Sequence, residues 1–216
     1  MNNIMDLFSV PLYTEKIGII EEEKAEIMGD KKWEGHNTHL IQSSQDNILE
    51  LDYCKRIKEE IQKHLEIYLS NILDPKYQHY SLRITQSWIN IILDGHHHVH
   101  RHPNSLVSGV FYVNTAKMDS INFENPNSLF FGQLYVTSDS QNKYNSLTYE
   151  HEVEAGDLIL FPSWLTHCVT RDFQDFKYPR CSISFNTFPL GLDDNIVFGQ
   201  GDTGQVRSFG DFVLER

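Results

Sequence analysis

Histidines crowd one short stretch of the chain, residues 95–113, with the sequence GHHHVHRHPNSLVSGVFYV. Five of the protein's eleven histidines fall within seven positions, 96–102. His100 and His102 are two residues apart, so on an extended strand their side chains project to the same face. Neutral imidazole is the commonest metal ligand, and two imidazoles on one face can converge on one ion. The spacing therefore favours a metal site over a surface patch of histidines.

The other three histidines, at 96–98, lie nearer the turn that Asp-Gly at 94–95 indicates. The alternation of side chains along a strand does not separate the two groups, because His96 and His98 would face the same way as His100. Pro103 and a buried strand follow His102 closely, so His100 and His102 lie nearest the core. We expect residues 96–98 to face solvent.

A third ligand must come from elsewhere, and His167 is the best candidate. It ends the stretch GDLILFPSWLTH at 156–167, in which a Gly-Asp turn leads into an apolar strand and a short turn. Such an arrangement can bring a distal histidine back over the mouth of a jelly roll, where nitrogen ligands suit Fe, Zn, Cu or Ni. The alternative is an ordinary buried histidine of the core.

Arg180 and Ser182 form a second pair with a spacing of two, in RCSISFN at 180–186. On a strand they face the same way. The planar guanidinium presents a fork to both oxygens of a carboxylate, so a buried Arg beside a hydroxyl is a good clamp for one. The alternative is an ion pair of Arg180 with Asp172 or Asp175.

The elements that position these residues are mostly short strands. An apolar pattern at three- and four-residue steps predicts one amphipathic helix over 48–73, ended by Asp-Pro at 74–75. From residue 81 the period changes to that of β structure, which predicts a sandwich or jelly roll. The predicted strands are an edge strand near Pro11 and 81–93, 106–114, 121–123, 133–137, 146–153, 157–162, 167–170 and 180–188.

Charge and composition exclude several classes of function. The net charge is −12, which disfavours nucleic acid and anionic membrane surfaces as partners. No stretch approaches the roughly 20 apolar residues of a membrane span, and the N-terminus lacks the features of a signal peptide. Three widely spaced cysteines indicate free thiols, and hence a cytoplasmic protein.

At three motifs the chain resembles the Fe(II)/2-oxoglutarate-dependent oxygenase superfamily, and within it a subgroup of uncharacterised bacterial and phage proteins. The motifs are HRHPNSLVSGVFYV at 100–113, FPSWLTH at 161–167 and RCSISFN at 180–186. The resemblance implies one domain, 1–216, with a double-stranded β-helix (jelly roll) at 81–188, an N-terminal helical extension at 1–80 packed on the sheet, and a tail at 189–216.

The resemblance also implies an enzyme that uses Fe(II), 2-oxoglutarate and dioxygen. His100 and His167 would be the two histidine ligands, and Arg180 with Ser182 would grip the far carboxylate of the cosubstrate. The chain departs from the superfamily at His102, where a carboxylate is usual. His102 itself could ligate, a carboxylate such as Asp94 or Glu124 could serve, or two histidines and water could suffice.

Three functions compete at this point. The first is a 2-oxoglutarate-dependent hydroxylase acting on a peptide or a small molecule. The second is a cupin-type metal enzyme that needs no 2-oxo acid and therefore no Arg180. The third is a non-catalytic jelly-roll module with a structural Zn or Ni. Side chains that could line a pocket are Trp88, Asn90, Tyr112 and Trp164.

Overall fold

The computed structural model describes residues 8–29, 33–35, 40–43, 46–73, 80–93, 95–127, 137–171 and 179–191. Within these residues, two α-helices and eleven strands follow one another. They are β1 (Tyr13–Lys16), α1 (Glu21–Gly29), β2 (Trp33–Gly35), β3 (Leu40–Ser43), α2 (Lys55–Tyr68), β4 (Tyr80–Ile92), β5 (Gly95–His100), β6 (Val107–Asn114), β7 (Ser120–Glu124), β8 (Thr148–Glu152), β9 (Asp157–Pro162), β10 (His167–Arg171) and β11 (Arg180–Gly191).

The strands form two antiparallel sheets. The larger sheet has the order β1-β9-β6-β11-β4-β3-β2, and the smaller has the order β5-β10-β7-β8. From β4 onward, consecutive strands lie in different sheets, except for β7 and β8, which are neighbours in the smaller sheet. This is the mainly β, jelly-roll architecture that the sequence predicts. The described helices include none that is long and apolar enough to cross a membrane.

Helix α2 covers one face of the larger sheet. Its residues Ile57, Ile61 and Leu65 have no exposed surface, because their spacing puts them on one side of the helix. They belong to one apolar cluster with Ile183 and Phe185 of β11. The predicted packing of a helix on the sheet is therefore confirmed.

The helix begins later than the apolar pattern predicts. Residues 48–50 and 52–54 form two short 3-10 helices. Leu51 between them is extended, with φ −77° and ψ 145°, so the regular α-helix begins at Lys55. A backbone hydrogen bond from Leu49 to the Ser87 hydroxyl (2.9 Å) ties this entry segment to β4.

The N-terminal part of the chain contributes to the larger sheet as well as to the helices. Strand β1 lies at its edge beside β9, a few residues after the predicted edge strand at Pro11. The division into 1–80, 81–188 and 189–216 stays a prediction. Most of the predicted strand 133–137 and the tail after residue 191 lie outside the described residues.

Strand β11 has two faces with different chemistry. Its register runs antiparallel to both β4 and β6, so it lies in the middle of the larger sheet. Over residues 180–186 the odd-numbered residues face α2 and are apolar, whereas the even-numbered residues face the smaller sheet and are polar and buried. The polar residues are Arg180, Ser182, Ser184 and Asn186.

Candidate metal centre

Three histidines meet at one end of the smaller sheet, where β5 ends and β10 begins. His100 is the last residue of β5 and His167 the first of β10, and the two are paired across the sheet. His102 follows in the turn, where its backbone N–H donates to the carbonyl of Ser163 (2.9 Å). One nitrogen from each ring lies within 4.8 Å of the other two. The structure thus brings together the three histidines that the sequence selects.

Backbone carbonyls fix the orientation of two of these rings. Nδ1 of His100 lies 2.6 Å from the carbonyl of His98, and Nδ1 of His167 lies 2.9 Å from that of Leu165. A carbonyl only accepts, so each Nδ1 carries the proton and each Nε2 keeps a free lone pair. A metal-binding histidine commonly donates its other nitrogen in this way.

The spacing of the nitrogens suits a shared metal ion. Nε2 of His102 lies 3.3 Å from Nε2 of His167. Two nitrogens bound to one ion at about 2.1 Å, with an angle of roughly 90–110° between them, are about 3.0–3.4 Å apart. His102 and His167 therefore have the separation expected for two ligands of one divalent cation such as Fe(II), and His100 belongs to the same group of possible ligands.

Burial keeps the rings in the form that binds a metal. Burial lowers the pKa of His167 to about 3, and the charges of His100 and His102 add to this effect. Burial likewise lowers the pKa of His102 to about 4, with further contributions from His100 and His97. Desolvation disfavours the charged imidazolium, so both rings are neutral at neutral pH. His167 also packs on Phe161, with ring centroids 4.8 Å apart.

The carboxylates considered as alternatives to His102 do not join this cluster in the described part of the chain. Glu124 ends β7 with an exposed side chain and is not among the grouped ligand atoms. Asp94 lies outside the described residues.

Arg180 is buried between the two sheets. Its side chain is 2% exposed and donates hydrogen bonds to the carbonyl of Ser120 (2.5 Å) and to the Tyr112 hydroxyl (3.3 Å). Its Nε has no hydrogen-bond partner among the described residues. Ser182, two residues along the same face, is 5% exposed. The acidic partners considered for Arg180, Asp172 and Asp175, lie outside the described residues.

The sequence matches one family model, described as "Putative 2OG-Fe(II) oxygenase", over residues 86–186. This range contains the three histidines, Arg180 and Ser182. Over this range the chain matches the 2OG-Fe(II) oxygenases. Enzymes of this family use Fe(II), 2-oxoglutarate (2OG) and dioxygen, so the chain is an oxidoreductase. The comparison with curated protein sequences gave no match.

Solved structures share the fold of the oxygenase at low sequence identity. A 2OG-Fe(II) oxygenase from Burkholderia pseudomallei is 12% identical with a TM-score of 0.54, covering 82% of this chain and 83% of its own. HygX from Streptomyces hygroscopicus, with nickel and 2-oxoglutarate bound, is 11% identical with a TM-score of 0.52 and coverages of 91% and 88%. A Trichoplax adhaerens prolyl hydroxylase, in complex with a peptide fragment, is 12% identical with a TM-score of 0.51 and coverages of 82% and 83%.

The remaining histidines of the oxygenase divide differently from the prediction. His96 and His98 are exposed, as expected, but His97 is half-buried and its ring lies 4.4 Å from that of His100. The reason is an irregularity in the pairing of β5 with β10, where His167 faces His100 and Val169 faces His97. Three steps on β5 therefore match two on β10, and the extra residue turns His97 to the side of His100.

The suggested pocket residues occupy different positions. The Trp88 ring lies 5.8 Å from that of His102, and Tyr112 is fully buried beside Arg180. Trp164 is 52% exposed. Asn90 donates to the hydroxyl of Ser184 (2.9 Å).

Two features of the site were missed by the sequence reasoning, His97 and the polar row on β11. The polar row could have been predicted, because Ser184 and Asn186 continue the pattern of polar residues at every second position that Arg180 and Ser182 begin. The bulge that redirects His97 left no comparable signal.

Proposed function

We propose that the oxygenase holds Fe(II) through Nε2 of His100, His102 and His167, and that Arg180 and Ser182 bind the far carboxylate of 2-oxoglutarate. The proposed reaction is hydroxylation: a C–H substrate, dioxygen and 2-oxoglutarate give the hydroxylated product, succinate and carbon dioxide. The observation that carries the proposal is the cluster of three histidines, in a fold that also buries the guanidinium of Arg180 between its two sheets.

The environment of Arg180 favours an anionic ligand. A buried cation is costly unless it is paired and hydrogen-bonded. Its described contacts are to the neutral oxygens of Ser120 and Tyr112, and its Nε still lacks an acceptor there. A carboxylate would supply both the missing acceptor and the compensating charge, and the Ser182 hydroxyl on the same face would donate to its second oxygen.

The histidine ligand set has an electrostatic consequence. Three neutral imidazoles leave the charge of a divalent ion uncompensated, whereas a site with a carboxylate ligand neutralises part of it. A dianionic 2-oxo acid restores the balance when it binds. Iron and 2-oxoglutarate together supply the oxidising chemistry when bound, while the chain's own groups keep the imidazoles neutral, orient the cosubstrate and exclude water.

The substrate we propose is a peptide or a small molecule, entering beside His102. The Trp88 ring lies near that of His102, and the exposed Trp164 follows Ser163, whose carbonyl accepts a hydrogen bond from the His102 backbone N–H. An aromatic surface of this kind suits an apolar or planar group. The net charge of −12 disfavours nucleic acid, and the absence of a disulfide at Cys54, Cys168 and Cys181 supports a cytoplasmic location.

An anaerobic titration tests the proposal directly. Purified protein loaded with Fe(II) is titrated with 2-oxoglutarate while the visible charge-transfer band of the chelate is recorded. We expect a saturable band with one iron per chain. No band in an iron-loaded protein would contradict the proposal, and oxygen consumption without 2-oxoglutarate would favour the cupin-type alternative.

Two variants separate the roles of the residues. His167→Gln should lose iron in metal analysis, since it removes a ligand from the cluster. Arg180→Lys keeps the positive charge but loses the planar fork, so we expect normal iron content and at least a tenfold weaker affinity for 2-oxoglutarate. Unchanged affinity in a folded Arg180→Lys protein would overturn the clamp.

A further inference from the structure

A fourth imidazole, that of His97, lies on the inner side of the smaller sheet beside the cluster. In the pairing of β5 with β10, His97 lies opposite Val169, which is 7% exposed, whereas His96 lies opposite Thr170, which is exposed. His97 therefore faces inward and His96 faces outward. Its ring lies against that of His100, but its nitrogens are not part of the group that meets at the metal position.

The pairing places His97 between the cluster and Arg180. Val169, its partner across the strands, packs on Ile92 in a small buried cluster. Ile92 is paired with Arg180 between β4 and β11. Strand β5 thus ends at His100, the proposed ligand. His97, three residues earlier, lies toward Arg180 through Val169 and Ile92. Burial lowers the pKa of His97 to about 4. The charges of three histidines and, with a smaller effect, that of Arg180 contribute to this lowering of the pKa.

The ring of His97 has hydrogen-bonding capacity that the described part of the chain leaves unused. No hydrogen bond to either of its nitrogens occurs among the described residues, although its two neighbours in the cluster, His100 and His167, each bond a backbone carbonyl. A neutral imidazole always carries one N–H donor. A half-buried donor between a cation site and a guanidinium suits an anion that spans the two.

We propose that His97 is a cosubstrate-binding residue that donates its N–H to the carboxylate of 2-oxoglutarate adjacent to the oxo group. This inference rests on the proposed function. The carboxylate next to the oxo group is chosen because the His97 ring touches His100, at the metal end of the space, while Arg180 and Ser182 serve the far carboxylate. A buried carboxylate needs a donor for each oxygen to offset its lost hydration, and His97 supplies one.

The test compares His97→Leu with His96→Leu, the same change on the outward face of the same strand. Each variant is loaded with Fe(II) and titrated anaerobically with 2-oxoglutarate. We expect His97→Leu to keep its iron, to bind 2-oxoglutarate roughly ten to a hundred times more weakly, and to shift the charge-transfer band, because a hydrogen bond to the chelating carboxylate is lost. His96→Leu should match the wild type in all three measurements.

A second ligand and a second variant make the result specific. 2-Oxobutyrate lacks the far carboxylate, so its affinity should fall in His97→Leu by the same factor, whereas Arg180→Lys should leave it unchanged. His97→Gln retains an N–H donor and should recover part of the affinity for 2-oxoglutarate.

Three results would overturn the role of His97. They are affinity within twofold of the wild type in His97→Leu, loss of iron from that variant, or an effect on 2-oxoglutarate that 2-oxobutyrate does not share. A wild-type protein that gives no band contradicts the proposed function instead, so the two failures are distinguishable.

Discussion

The two faces of strand β11 differ sharply in chemistry over one short segment, residues 180–186. On the face toward α2, Cys181, Ile183 and Phe185 have no exposed surface and join the large apolar cluster. On the face toward the smaller sheet, the side chains are equally buried but polar. Arg180 reaches the β7 backbone at Ser120, and Asn186 accepts a hydrogen bond from Ser108 (2.9 Å).

Burial therefore has opposite energetic meanings on the two faces. Each apolar side chain toward α2 gains transfer free energy on folding. A buried hydroxyl, amide or guanidinium gains little net free energy, because its hydrogen bonds replace bonds to water. A row of such groups in the middle of a domain therefore gains little from burial alone, which supports the proposal that part of the row binds a ligand.

The largest effect expected from this comparison comes from Phe185→Ala. The Phe185 ring packs over Gly109 of β6, where an added Cβ would collide with it, so no neighbour can easily fill the space it leaves. Removal of a buried Phe costs about 3–5 kcal/mol. We expect the free energy of unfolding, from urea titration, to fall by about that amount, with unchanged iron per folded chain. A loss of iron from the folded protein would contradict the separation of the two faces.

Most of the fold could be predicted from local sequence patterns, such as the spacing of apolar residues and the turns between them. The helix was predicted because apolar residues such as Ile57, Ile61 and Leu65 recur at helical spacing, and β9 agrees with the predicted strand 157–162 because a Gly-Asp turn precedes an apolar run. Gly156 does adopt a left-handed conformation there, with φ +89°. The late start of α2 could not be predicted, because the extended Leu51 interrupts the segment without changing its apolar period.

The parts of the site that depend on spacing along one strand could be predicted, because spacing fixes the direction of the side chains. The parts that depend on how strands pair could not. His100, His102, His167, Arg180 and Ser182 were selected from sequence, and the structure brings the histidines together. Their roles as ligands and clamp stay predictions. The inward turn of His97 comes from a bulge between β5 and β10. Which strands pair, and in what register, depends on residues about 70 positions apart.

A smaller difference is expected in how stability depends on pH. It distinguishes the histidines of the cluster, beside the smaller sheet, from the apolar face of β11. The pKa of His167 is about 3 and that of His102 about 4 in the folded protein, against about 6.5 in an unfolded chain. Between about pH 6 and pH 4 the unfolded chain binds protons that the folded protein does not, so the free energy of unfolding decreases as the pH falls. Each such histidine contributes a slope of up to about 1.4 kcal/mol per pH unit.

Metal-free protein is the sample for this measurement, by urea titration at several pH values between 6.5 and 4.5. His167→Gln should have a slope lower by up to about 1.4 kcal/mol per pH unit. Phe185→Ala, on the apolar face, should lower the free energy equally at every pH. Equal slopes in wild type and His167→Gln would show that His167 titrates normally in the folded protein.

The smallest effect is expected for Ser184→Ala, which sharpens the comparison because its neighbour Ile183 faces the other way. The Ser184 hydroxyl accepts one hydrogen bond, from Asn90, and a single neutral hydrogen bond contributes about 1 kcal/mol net. Ile183→Ala removes a side chain from the apolar cluster and should cost about 2–5 kcal/mol. Urea titration of both variants decides between the two faces: if Ser184→Ala destabilises the protein as much as Ile183→Ala, the polar row is a structural network, and its retention would need no bound ligand to explain it.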